Sequence, residues 1–226
     1  MSKHLHRDLE NLNTELLSIS AMVEEMIDKA TLALSERRYE LADEVVQSDE
    51  YVDEHEVHVE EECLKMLALH QPVAVDLRRI ATVLKANADL ERIADLAVSI
   101  AQRARAMHEF PAFPIPEPLR PMVLLATQMV RGAMNAFVNT DNAAARRIIA
   151  MDKTVDQYNR EIIDELQKLM QKRPEAVPAA VNCFSAVRHI ERIADHATNI
   201  AEDVIYLVEG DIVRHRMDQP TSETPK

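Results

Sequence analysis

Asp49 and Asp53, Glu91 and Asp95, Asp152 and Asp156, and Glu191 and Asp195 form four acidic pairs, each with its members four residues apart. On a helix that spacing stacks both carboxylates on one face. Two such pairs facing each other across neighbouring helices would offer only oxygen donors, a set suited to hard cations such as Mg²⁺, Mn²⁺ or iron. A single pair carries little weight in a chain with 39 acidic residues. Recurrence carries more, because ERIADLAVSIA at 91–101 and ERIADHATNIA at 191–201 agree at eight of eleven positions, 100 residues apart.

Other chemistries find less support. Cys63 and Cys183 stand alone, without CxxC or Cys/His spacing, and read as buried free thiols. No Gly-rich phosphate loop or GxSxG elbow occurs, and no catalytic constellation is present. His55, His58 and Glu62 come close together on a helical surface but read as a solvated face. His189 and His196 flank the second ERIAD block without histidine counterparts in the first copy, so they could at most support ligands held by others. A di-iron bundle enzyme would also place carboxylates on facing helices, yet none of the nine histidines follows a glutamate by three residues.

The acidic pairs need helices to hold them, and the composition supplies helices. Two glycines and 4% aromatic residues leave little for tight turns or strands, whereas Ala, Leu, Glu and Arg favour helix. An earlier block repeats at a spacing of 103, with Met26, Ala30, Val45, Val52 and Leu67 opposite Met129, Ala133, Ile148, Val155 and Met170. The chain therefore reads as all-α, a tandem repeat of two antiparallel three-helix bundles. The helices are expected at 5–36, 39–70, 73–108, 118–139, 142–172 and 176–209. The first bundle would span 1–108 and the second 118–209. The proline-rich run HEFPAFPIPEP cannot continue a helix and makes 109–117 the linker. Residues 210–226 read as a flexible tail.

Projection at about 100° per residue places the carboxylates. On the third helix Ile93, Ala94, Ala97, Ile100 and Ala101 form the apolar stripe, and Glu91 and Asp95 fall well away from it, on a face expected to point outward. On the second helix Leu41, Val45, Val52, Val59 and Cys63 form the stripe, with Asp49 on its flank and Glu56 near its centre. Ile148, Val155, Ile162 and Leu166 repeat it in the fifth helix, with Asp152 on the flank and Asn159 at the centre. A carboxylate beside an apolar seam costs several kcal/mol unless a cation or donors satisfy it. Either a metal ion or ion pairs from Arg92, Arg192 or Arg188 would serve.

A formal net charge of −13 disfavours nucleic acid and anionic lipid as partners. No stretch is apolar and long enough to span a bilayer, and the N-terminal residues lack a hydrophobic signal core, so a cytoplasmic protein is expected.

HQPVAVDLR at 70–78, DLERIAD at 89–95, HIERIAD at 189–195 and the DxxxD pairs of the second and fifth helices resemble the PhoU family of phosphate-transport regulators, over almost the whole chain. The resemblance implies dimers or larger oligomers and a surface E(D)xxxD site for metal ions, iron foremost, with manganese, magnesium or zinc as alternatives. Asp49, Asp53, Glu91 and Asp95 would hold one cluster, and Asp152, Asp156, Glu191 and Asp195 the other. It also implies a negative regulator of the phosphate-starvation response, coupling the ATPase subunit of a phosphate ABC transporter to a phosphate-sensing histidine kinase at the membrane. A plain helical adaptor whose carboxylates bind nothing remains the alternative.

Overall fold

A computed structural model describes residues 3–210. Six helices account for nearly all of it: α1 (Lys3–Ser35), α2 (Glu40–His70), α3 (Ala74–Ala106), α4 (Leu119–Asn139), α5 (Asn142–Lys172) and α6 (Val177–Glu209). No strand occurs among the described residues. The all-α architecture and the six helices agree with the reading of the sequence, and every boundary that falls in the described region lies within two residues of its expected place. From residue 211 onward, the expected flexible tail lies outside the described residues.

The breaks between helices have local causes. Arg37, Gln71 and Thr140 take left-handed backbone angles that turn the chain out of α1, α2 and α4. Asp141 caps α5 by accepting a 2.9 Å hydrogen bond from the Ala144 N–H, which satisfies one of the free donors at a helix start. Pro178 sits in the first turn of α6, where its missing N–H costs nothing. Gly210 ends α6 at φ +78°, a conformation that a side chain would strain.

α3 packs on α1 and α2, α6 packs on α4 and α5, and α3 and α6 make the most extensive helix pair in the molecule. α1 also meets α4. The two halves therefore share one continuous hydrophobic core, running from Leu5 to Ile205. Small side chains allow this. Ala86, Ala94, Ala97, Ala101 and Ala104 on α3, with Ala186, Ala194, Ala197 and Ala201 on α6, are fully buried on helices that each contact three others. Short side chains let helix axes approach closely.

The connection between halves is docked. Phe113 is buried, and its carbonyl accepts a 2.9 Å hydrogen bond from Arg37 Nη2.

Polar rungs fix how the halves register. Lys85 on α3 reaches the buried Asp203 on α6 at 3.0 Å. His196 Nδ1 meets Asp89 Oδ1 at 2.8 Å, and Asn199 reaches the same oxygen. Arg131 on α4 pairs with Glu24 on α1 at 2.7 Å. None of these links was visible in sequence spacing, because each partner lies more than 100 residues from the other.

Candidate functional site

α2 lies beside α3 and α5 beside α6, which brings each aspartate pair against the ERIAD pair of its own half. The coupling is visible in the electrostatics. The Asp49 carboxyl is pushed up to about 6 by burial first, then by the negative charges of Asp53 and Asp95. Asp152 is likewise pushed up to about 6 by burial, then by Asp156 and Glu191. Glu91 is raised by burial and by Asp95, Asp53 and Glu56, with Arg92 pulling the other way. Glu191 is raised by burial, Asp195 and Asp156, against the opposing pull of Arg188. Asp195 is raised by burial, then by Asp152 and Asp156. All eight acidic residues singled out by their spacing thus fall into two groups of four, one per half.

The expected outward orientation of the third-helix face needs correction. The Glu91 side chain keeps 24% of its surface exposed and Glu191 only 14%, while Asp95 faces solvent at 49%. Projection measures the angle from a helix's own apolar stripe and ignores what lies over the other flank. Here α2 and α5 cover the inner side of each glutamate. At the centre of the second-helix seam, Asn159 is buried, and Glu56 is half-buried with its carboxyl raised by desolvation and by Glu60 and Asp53.

Both compensating schemes leave a mark. Arg92 sits 3.3 Å from Glu91 and 3.0 Å from Asp95. Arg188, rather than Arg192, pairs with Glu191 at 3.0 Å. Among the described residues no cation pairs with Asp49, Asp53, Asp152 or Asp156, while Asp195 feels the opposing pull of His196 and Arg188. Glu191 Oε2 is buried without a hydrogen-bond partner, as is Asn159 Oδ1. The ion pairs therefore serve the third and sixth helices and leave the aspartates of the second and fifth uncompensated.

That donor set fits a hard cation. Every donor is an oxygen, the carboxylates repel one another in partial burial, and one glutamate oxygen lacks any partner. The arrangement is not a finished cage, for among the described residues no three His, Cys, Asp or Glu side chains are poised to hold a metal ion. Binding would draw the exposed Asp53 and Asp95 inward.

The remaining residues singled out by the sequence are accounted for structurally. Burial pushes both free thiols, Cys63 and Cys183, up to about 12, leaving them protonated and inert. His55 bonds to the Tyr51 carbonyl, His58 lies 3.6 Å from Glu15, and Glu62 pairs with Lys65. His196 ties the halves together through Asp89. Among the described residues no helix is long and apolar enough to cross a membrane.

The PhoU domain model matches this chain twice, at residues 16–104 and 119–204, on either side of the proline-rich connection. The phosphate-specific transport system accessory protein PhoU homolog of Aquifex aeolicus is 38% identical over 218 residues, covering 94% of this chain and 96% of that one. The crystal structure of PhoU from Pseudomonas aeruginosa superposes with a TM-score of 0.86 at 36% identity, covering 91% of this chain and 99% of that one. The phosphate transport system regulatory protein PhoU from Streptococcus pneumoniae superposes with a TM-score of 0.87 at 28% identity, over 92% and 99% of the two chains.

Proposed function

This chain belongs to the PhoU family, and from that membership we propose that it is a non-catalytic, cytoplasmic accessory protein of phosphate transport that restrains phosphate uptake and the phosphate-starvation regulon. It acts by contact, as a helical adaptor between the ATPase subunit of a phosphate ABC transporter and a phosphate-sensing histidine kinase. It reaches the membrane only through those partners, and it self-associates as a homodimer or larger oligomer. The observation that carries this reading is the double match of the family model, at residues 16–104 and 119–204.

Each half also holds metal. Asp49, Asp53, Glu91 and Asp95 would take one set of ions, and Asp152, Asp156, Glu191 and Asp195 the other, with iron first and manganese, magnesium or zinc as alternatives. When bound, the metal supplies the positive charge that the four carboxylates of each cluster lack. The chain's own part is to hold the acidic faces in apposition on rigid helices, so that occupancy stiffens the contact between α2 and α3 and between α5 and α6.

Deleting the protein should raise alkaline phosphatase expression in phosphate-rich medium, and unchanged expression would remove the regulatory claim. Protein purified from metal-replete cells should carry metal that chelator removes. If it carries none, and Asp49→Ala combined with Glu91→Ala changes neither stability nor repression, the metal-free adaptor is the correct reading.

A further inference from the structure

Between α3 and α6, on the surface where the two halves meet, lies a groove of about 530 Å³. α3 lines it with Arg92, Ser99 and Gln102, and α6 lines it with His189, Arg192 and His196. Arg92 and Arg192 are repeat equivalents, 100 residues apart, so the duplication sets one guanidinium on each wall. The volume is within the range of small-molecule clefts, about 300–1,000 Å³.

The groove concentrates unspent positive charge in a chain of formal net charge −13. Among the described residues Arg192, on the α6 wall, pairs with no carboxylate. His189 and Arg192 stand one turn apart on the α6 wall. His189 Nε2 meets the Ser185 hydroxyl, while its Nδ1 is buried without a hydrogen-bond partner. Guanidinium groups present paired donors that match the oxygens of a phosphate. The Ser99 hydroxyl and the Gln102 amide add donors without charge. One wall residue opposes an anion: Asp95 holds Arg92 at 3.0 Å. Arg92 must therefore turn from both Asp95 and Glu91, 3.3 Å away, to a ligand, while Arg192 is available as it stands.

We propose that this inter-half groove binds a phosphate monoanion or dianion, free or as a small monoester, with Arg192 as its principal contact and Arg92 completing the clamp. The choice of phosphate among oxyanions rests on the regulatory reading above, while the site rests on the groove's own geometry. Ligand bound there would touch α3 and α6 together and so bear on how the halves sit against each other.

Isothermal titration of the full chain tests this, using orthophosphate in one arm and glycerol 3-phosphate in the other, in chloride buffer with chelator present. Saturable binding in the first arm identifies the free anion, and in the second arm alone the ester. Arg192→Gln should weaken binding by about tenfold to a hundredfold, the worth of a charge-assisted hydrogen bond, and Arg192→Lys should recover only part of it. Arg146→Gln, whose partner is Glu209, should leave binding unchanged. Circular dichroism checks that each variant is folded. No saturable binding in either arm, or full binding by folded Arg192→Gln, overturns the proposal. Because the readout is binding by purified protein, its failure is distinct from an unchanged alkaline phosphatase level, which would count against the regulatory reading instead.

Discussion

The acidic cluster of the first half and that of the second stand on equivalent helices but differ in depth and in their cationic partners. In the first, Arg92 spans Glu91 and Asp95 from an exposed position, and a half-buried Glu56 adds a fifth carboxylate to the seam. In the second, Arg188 reaches Glu191 from the preceding turn, Asn159 replaces the extra carboxylate, and Glu191 is more deeply covered. The apolar frame was kept by duplication, because any change of register would misplace a whole core stripe. The polar partners were free to diverge, since a carboxylate can be compensated from several directions.

The equivalence of the two frames can be broken most forcefully from the core. Ile93 and Ile193 are fully buried repeat equivalents, and truncating either to Ala should cost about 2–5 kcal/mol in urea unfolding, by similar amounts. Because the core is continuous across both halves, each variant should still melt in one calorimetric transition. Two separated transitions would show that the halves behave as independent units.

The contrast between Glu56 and Asn159 can be sharpened by exchange. Asn159→Glu puts a charge at a position 5% exposed, beside Asp152 and Asp156, and should destabilise metal-free protein by about 2–3 kcal/mol at about pH 8. Glu56→Asn removes a repelled carboxylate and should stabilise by less than about 1 kcal/mol. Manganese should recover much of the Asn159→Glu loss if the added group joins the cluster. No recovery would separate the seam from the metal site.

A pH series tests whether the clusters share one electrostatic cause. The carboxyls of Asp49 and Asp152 sit at about 6, against an ordinary 3.8. Between those values the folded chain holds protons that the unfolded chain has released, so stability falls as pH rises through this window and levels off above about 6. With partial exposure discounted, each group should account for about 1 kcal/mol. Asp49→Asn and Asp152→Asn should each flatten the profile by a similar amount and make no difference below about pH 4. A profile that rises with pH in chelator would contradict this account. Metal added at about pH 5 should release protons that metal added at about pH 8 does not.

The smallest effect concerns the arginines. Arg188→Gln leaves Glu191, 14% exposed, without its cation and should cost about 1 kcal/mol in thermal unfolding. Arg92→Gln removes a pair in which Arg92 is 62% exposed and should cost less than about 0.5 kcal/mol. Equal losses would mean that the depth difference between clusters has no energetic weight.

Much of this architecture was legible in one dimension. The ERIAD repeat, the spacing of 100 and 103, the glycine-poor composition and the proline run located six helices to within two residues. The eight acidic residues were found by the same repetition, because duplicated spacing is a signal that a single helix face cannot give. What was misjudged, the half-burial of Glu91 and Glu191, depended on a neighbouring helix that a projection of one helix cannot include. The groove between α3 and α6 was missed for a related reason: the repeat pairs Arg92 with Arg192, but only the packing of two distant helices sets them on facing walls beside His189.

By itself the sequence determined periodicity, and hence the helices, their apolar stripes and which carboxylates share a face, because these depend on residues within a few turns of one another. Only the tertiary structure decided that the two halves share a core through α3 and α6, that Lys85 meets Asp203 and His196 meets Asp89, and which charges are left unpaired. Those outcomes turn on the packing of surfaces far apart in the chain, where shape and desolvation select the partner and sequence distance carries no information.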